Sequence, residues 1–236
     1  TPTYQGSGDN AENYGCGFLS DGRVLTTDVG NQANGDGDGQ LIVWFPPFTG
    51  GEYVDGAENA GFDDVAFCKV DIGIATAGGI YVDGDDNVYL GSARPPTAGV
   101  RRYSGDWPTG PDAAGGCGRT DGTGAPVVDE GAVTSEVFIP AGPHGLSTPH
   151  SVAPAPDGGF YVSSIITGVI NEYGADGAFV RTVLQPPAGE ELGPEPFSTG
   201  TPLGLGVAPD GTIYYADIGV VADPVNGFGP GENTGS

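Results

Sequence analysis

Apolar and polar positions alternate along this chain in short runs, and Asp-Gly or Gly-Gly pairs punctuate the runs. Phe160-Tyr161-Val162-Ser163-Ser164 follows Asp157-Gly158-Gly159, and Ile213-Tyr214-Tyr215-Ala216-Asp217 follows Asp210-Gly211-Thr212. Short runs rich in aromatic and β-branched residues, bounded by turn residues, predict strands. Glycine in the turns supplies the positive φ that tight hairpins need. No long segment carries the 3.6-residue period of an amphipathic helix.

The pattern recurs four times at fixed spacing. Asp21, Asp85, Asp157 and Asp210 mark the turns; seven residues later stand Asp28, Ser92, Ser164 and Asp217. Nine residues before the turn, three units hold Thr76, Thr148 and Thr201. Each unit divides into four strands. In the third unit they fall at residues 151–153, 160–164, 168–173 and 179–184. The later pair lies at 41–45 and near 65–70 in the first unit, and at 100–103 and 136–139 in the second. Four-stranded antiparallel units in series predict an all-β fold, the β-propeller. One propeller domain covers residues 1–236, with units at about 12–70, 74–140, 148–185 and 201–236 and an insertion at 106–134. The last unit shows no readable third and fourth strands. The expectation is an incomplete blade, in a protein whose intact form carries six.

The phrases Val152-Ala153-Pro154-Ala155-Pro156-Asp157-Gly158-Gly159-Phe160-Tyr161-Val162-Ser163 and Val207-Ala208-Pro209-Asp210-Gly211-Thr212-Ile213-Tyr214-Tyr215-Ala216-Asp217 resemble the repeats of NHL-type propellers and of the SMP-30/gluconolactonase group. The resemblance implies a lactonase, esterase, lyase or pure binding module. It also implies a divalent metal over the central channel, held by Glu, Asn and Asp ahead of the first strands. The matching row here is Tyr14, Gly78, His150 and Leu203, with Glu12 and Asn13 beside it. Similar propeller lyases use channel histidines, and His150 in Thr148-Pro149-His150-Ser151 resembles that placement.

Composition narrows the partners. The 236 residues carry 31 acidic side chains against seven Lys and Arg, a net charge of −24. Such a field repels phosphate backbones and anionic lipid and attracts cations. Nucleic acid is therefore excluded as a partner, and no apolar run is long enough for membrane insertion. Small-molecule ligands and divalent cations remain; oligomeric state is left open. The acidity and the cysteine count fit a secreted or periplasmic protein. Of Cys16, Cys68 and Cys117, the first two are the expected disulfide, because the pairing places one on the first and one on the last strand of the same blade.

Candidate chemistry is sparse. His150 is the candidate base or metal ligand, with Glu12, Asn13 and Tyr14 lining the same mouth. Its competing role is a hydrogen bond to a neighbouring blade. His144 lies six residues upstream in a Gly-Pro-containing turn. In Asn34-Gly35-Asp36-Gly37-Asp38-Gly39, oxygen ligands alternate with glycine as in the opening of a calcium loop, though Phe45 stands where the closing Glu of an EF-hand belongs. Asn34, Asp36 and Asp38 are thus candidate ligands for calcium or another divalent metal; a solvated acidic hairpin is the alternative. Asp83-Gly84-Asp85-Asp86-Asn87 reads as a plain strand turn, and Asp28 and Asp217 as caps on backbone amides. There is no G-x-S-x-G elbow, H-E-x-x-H helix, P-loop or dinucleotide fingerprint.

The leading expectation is a metal-dependent hydrolase or lyase acting over the channel. The competing one is a non-catalytic propeller that binds a ligand or partner, or assembles into an extracellular structure.

Overall fold

The Asp-Gly punctuation builds the same hairpin turn four times. The amides of Leu19, Asp83, Ala155 and Ala208 donate to the carbonyls of Arg23, Asn87, Gly159 and Thr212, and their carbonyls accept from Gly22, Asp86, Gly158 and Gly211. Those last four residues all have positive φ, at 89°, 60°, 89° and 85°. Glycine takes that conformation without a Cβ clash; Asp86 is the one unit's exception. Turn carboxylates tighten the loop. Asp157 accepts the Gly159 amide at 3.2 Å and Asp210 the Thr212 amide at 2.9 Å. In the second unit Asp83 takes the amides of Asp85 and Asn87 at 3.0 and 2.9 Å, so its acidic cluster is a strand turn.

The computed structural model describes residues 13–28, 39–48, 66–72, 74, 77–92, 98–110, 116–120, 133–165, 167–185, 202–217, 220–223 and 227–230. Its strands are β1 (Asn13–Phe18), β2 (Val24–Asp28), β3 (Gln40–Trp44), β4 (Phe67–Ile72), β5 (Ala77–Val82), β6 (Val88–Ser92), β7 (Gly99–Ser104), β8 (Gly116–Thr120), β9 (Thr134–Pro140), β10 (Pro149–Pro154), β11 (Phe160–Ser164), β12 (Ile170–Tyr173), β13 (Phe179–Leu184), β14 (Pro202–Val207), β15 (Ile213–Asp217), β16 (Val220–Asp223) and β17 (Gly227–Pro230). They form sheets β1-β2-β3-β4-β8, β5-β6-β7-β9 and β10-β11-β12-β13, and hairpins β14-β15 and β16-β17. The fold is all-β, with blades of the propeller type in which neighbours along the chain pair antiparallel. No helix among the described residues is long and apolar enough to cross a membrane.

The fourth unit holds the two-stranded sheet β14-β15, and β16 and β17 pair with each other as a separate antiparallel hairpin. Within the insertion, β8 joins β4 in parallel, Lys69 facing Gly116 and Asp71 facing Thr120. The insertion also begins against its own unit, where buried Trp107 donates from Nε1 to the Asp86 carbonyl at 2.8 Å. Finally, Cys16 is a free, exposed cysteine, so the Cys16–Cys68 bridge is not formed. Cys16 lies on β1 and Cys68 on β4, with β2 and β3 between them. Three strand spacings amount to about 14 Å, against the ~7 Å limit for bridged Cα atoms.

The chain falls into two compact units. One holds Thr1–Ala77, Val82–Val88 and Tyr103–Glu136; the other holds Gly78–Tyr81, Tyr89–Arg102 and Val137–Ser236. In the first, Leu25, Val43 and Cys68 fill one face of the β1–β4 sheet. Asp86 ties two turns there, accepting the Ser20 amide at 2.8 Å and its hydroxyl at 2.7 Å. In the second, Tyr89, Val100 and Ile139 pack with Val152, Phe160 and Val162, while Tyr161 and Ile170 pack with Leu205, Val207 and Ile213.

Candidate functional site

The head of β10 carries a one-residue bulge. Pro149 faces Ser164 and Val152 faces Val162, so three steps on β10 match two on β11. A bulge leaves an amide off the ladder and re-aims side chains. The Ser163 hydroxyl accepts that amide, from Ser151, at 3.1 Å. The same construction stands in the first unit: Asn13 faces Asp28, Cys16 faces Thr26, and the Thr27 hydroxyl accepts the Gly15 amide at 2.8 Å. A shift of one residue also occurs at Leu203 on β14. In the first, third and fourth units, the row picked out by the resemblance is therefore the bulge row of the first strands.

His150 sits in this bulge and is only 3% exposed. Its Nδ1–H donates to the Leu203 carbonyl at 2.8 Å, which leaves Nε2 as the lone-pair nitrogen. The Ser151 hydroxyl donates to the same carbonyl. Burial pushes the His150 pKa down to about 4, partly opposed by the Leu203 bond, so the ring is neutral at physiological pH. The backbone around it is packed without slack. A Cβ at Gly91 would lie 2.5 Å from the His150 carbonyl oxygen and 2.6 Å from that of Pro149; one at Gly78 would lie 2.5 Å from the former. Glycine is required there so that β10 can pass close to β5 and β6.

Ser164 organises the loop just before. Its hydroxyl accepts the amides of Ser147 and Thr148 at 3.2 and 3.3 Å and bonds the Thr167 hydroxyl at 2.7 Å. This position, equivalent to Asp28 and Asp217, does cap backbone amides in the third unit.

His144 is not brought to the same place. Its ring stacks on Phe179 with centroids 3.6 Å apart, and its carbonyl accepts from Asn171 Nδ2 at 3.0 Å. Among the described residues, no three His, Cys, Asp or Glu side chains converge as a metal site. Glu12, Asn34, Asp36 and Asp38 lie outside the described residues, as do the side chains of Asn13 and Tyr14 on β1. Sequence reasoning missed Ser151, Ser163 and the Leu203 carbonyl. The available signal was the recurrence of a hydroxyl six residues after the turn aspartate, at Thr27 and Ser163.

No protein-family model matches the chain. No curated protein matches it. Solved structures are similar at low identity. A streptogramin B lyase shares 11% identity over 95% of this chain and 70% of that one, with a TM-score of 0.37. A catalytically inactive virginiamycin B lyase from Staphylococcus aureus, with quinupristin, shares 12% over 93% and 69%, at 0.36. The extracellular domain of a hybrid two-component system from B. thetaiotaomicron shares 14% over 98% and 31%, at 0.39. At such scores the likeness assigns no residue and no reaction.

Proposed function

We propose that this chain is a non-catalytic propeller of the secreted or periplasmic type, which binds a small ligand or partner, and that His150 is a strut rather than a base. The observation that supports this is the His150–Leu203 bond. The ring is buried, its Nδ1–H is committed to a main-chain carbonyl, and its basicity is suppressed. A general base works best with a pKa near the operating pH and within reach of substrate. A histidine at about pKa 4 in a nearly closed setting meets neither condition. The net charge of −24 favours neutral or cationic ligands.

A second reading has one specific observation in its favour. The tautomer fixed by Leu203 presents Nε2 as acceptor, the form in which an imidazole binds a divalent metal or takes a proton. In that reading the protein is a metal-dependent hydrolase or lyase, and Glu12, Asn13 and Tyr14 are its further candidate residues. A calcium ion or other divalent cation held by Asn34, Asp36 and Asp38 would then steady the first blade.

The test is a screen of neutral and cationic compounds for both binding and turnover, on wild type and His150→Gln. The first reading expects ligands that bind both proteins and are recovered unchanged. Turnover by wild type that disappears in a folded His150→Gln protein would establish the second.

A further inference from the structure

The insertion is held at its root and again farther along. At the root, Trp107 donates to the Asp86 carbonyl at 2.8 Å. Arg23, paired with Asp21 at 2.8 Å, donates from Nη1 to the Pro108 carbonyl. Farther along, β8 lies beside β4, and there the ladder is thin. It has two registered pairs, Lys69 with Gly116 and Asp71 with Thr120. Between them β4 advances two residues and β8 four, so the strands lose step at once. The pairing is parallel, the weaker kind per residue. The strand itself is Gly116-Cys117-Gly118-Arg119-Thr120, and glycine inside a strand weakens it further. A ladder this poor needs a second fastening to keep β8 in place.

Cysteine supplies one. Cys68 lies on β4, is fully buried and is disulfide-bonded. The chain has three cysteines, and Cys16 is free, beyond β2 and β3 in the same sheet. The remaining cysteine is Cys117 on β8, the strand next to β4. Both strands belong to the same compact unit. Cys68 stands one residue before Lys69 and Cys117 one residue after Gly116, so their positions are diagonal neighbours across the pair. Neighbouring strands lie about 4.8 Å apart, and diagonal positions come within about 7–8 Å. The surplus residues of β8 shorten its advance along β4, which draws Cys117 into the ~7 Å reach of a disulfide.

We propose that Cys68 and Cys117 form a disulfide that staples the insertion to the first blade, and that this bond, more than the ladder, keeps β8 on β4. Its formation consumes two thiols. Each sulfur gives up its proton, one S–S bond forms, and the two electrons pass to an external disulfide, which leaves as two thiols. Cys16 is then the single thiol of the chain. A bond of this kind persists in an oxidising compartment. The inference is independent of the reading of His150.

The experiment maps the cysteines of the full 236-residue chain after equilibration with oxidised glutathione. Remaining thiols are alkylated, and the protein is digested with trypsin without reductant and read by mass spectrometry. Cleavage after Arg23, Lys69, Arg102 and Arg119 puts Cys16, Cys68 and Cys117 on the separate peptides 1–23, 24–69 and 103–119. The expected result is 24–69 linked to 103–119, with Cys16 alkylated or glutathionylated. A link through Cys16, or Cys68 and Cys117 recovered apart, overturns the proposal. Hydrogen exchange reads its second half. Cys117→Ser, with its fold checked by circular dichroism, should lose amide protection over residues 116–120 while 24–28 and 40–44 keep theirs. Reduction of the wild type with dithiothreitol, which changes no residue, should give the same local loss, and Cys16→Ser should give none. Protection of 116–120 that survives in both the variant and the reduced protein overturns the claim that the bond holds β8.

Discussion

The amide of Ser151 rests on the hydroxyl of Ser163, and at the same repeat offsets the amide of Gly15 rests on the hydroxyl of Thr27. Both hydroxyls are fully buried, and both satisfy an amide that a bulge has removed from the strand ladder. Leaving a buried donor unpaired costs about 1–3 kcal/mol. Ser163→Ala and Thr27→Ala are each expected to lose stability in that range, read as a lower urea midpoint with unchanged slope. Ser163→Thr, which keeps the hydroxyl, separates the hydrogen bond from packing: it should lose less than Ser163→Ala.

His150 gives a pH signature. Its folded pKa of about 4 lies below the ordinary 6.5, so the unfolded chain binds the extra proton more readily. The resulting stability is present above about pH 6.5 and is lost as the pH falls toward 4. From pH 7 to pH 5 the linked loss is about 2 kcal/mol. His150→Gln should flatten that part of the profile, measured by urea unfolding at several pH values. An unchanged slope would mean that His150 remains protonatable in the fold.

Two glycines separate close approach from mere flexibility. At Gly91 a Cβ would collide with backbone oxygens at 2.5 and 2.6 Å, atoms that cannot swing aside. Gly91→Ala is expected to cost more than about 2 kcal/mol, as overpacking and strain do. Gly206→Ala, in open space, should shift the thermal midpoint little or upward. Equal effects at the two positions would contradict the packing described for β10.

Asp86 holds a left-handed conformation that its three equivalents give to glycine. What it gains is the pair of hydrogen bonds that its carboxylate accepts from the Ser20 amide and hydroxyl. Asp86→Gly therefore trades relief of strain against that bond and should be near neutral, whereas Asp86→Ala loses both and should cost about 1–2 kcal/mol. Paired thermal melts of the two variants read the difference.

Much of this was written in the repeat. The spacing of Asp21, Asp85, Asp157 and Asp210 located four hairpins, because the turn chemistry is local and needs only Asp and Gly. Strands β11 and β13 fell on the expected residues for the same reason: alternation fixes which side is buried. The fifth strand of the first sheet was not legible. Gly-Cys-Gly-Arg-Thr carries no alternating apolar pattern, and its pairing to β4 is a backbone contact across a long separation. The disulfide expectation treated Cys16 and Cys68 as neighbours because they shared a blade, but the sheet order sets them three strand positions apart. His150 was legible as a candidate residue, but its setting was not. Its carbonyl partner, Leu203, lies 53 positions away, and a main-chain acceptor has no sequence signature.

The bulges have a bearing on how the chain finds its fold. Four near-identical hairpins in one polypeptide invite mispairing, since a strand from one unit resembles that of another and a slip of two residues preserves the alternation. A bulged strand head breaks that translational ambiguity. Within the β10–β11 hairpin the native alignment sets the Ser163 hydroxyl where the Ser151 amide has left the ladder, and a slip of two residues takes that acceptor away. The device at Ser151 and Ser163 thereby works as a registration key, rejecting wrong pairings during folding rather than only stabilising the right one.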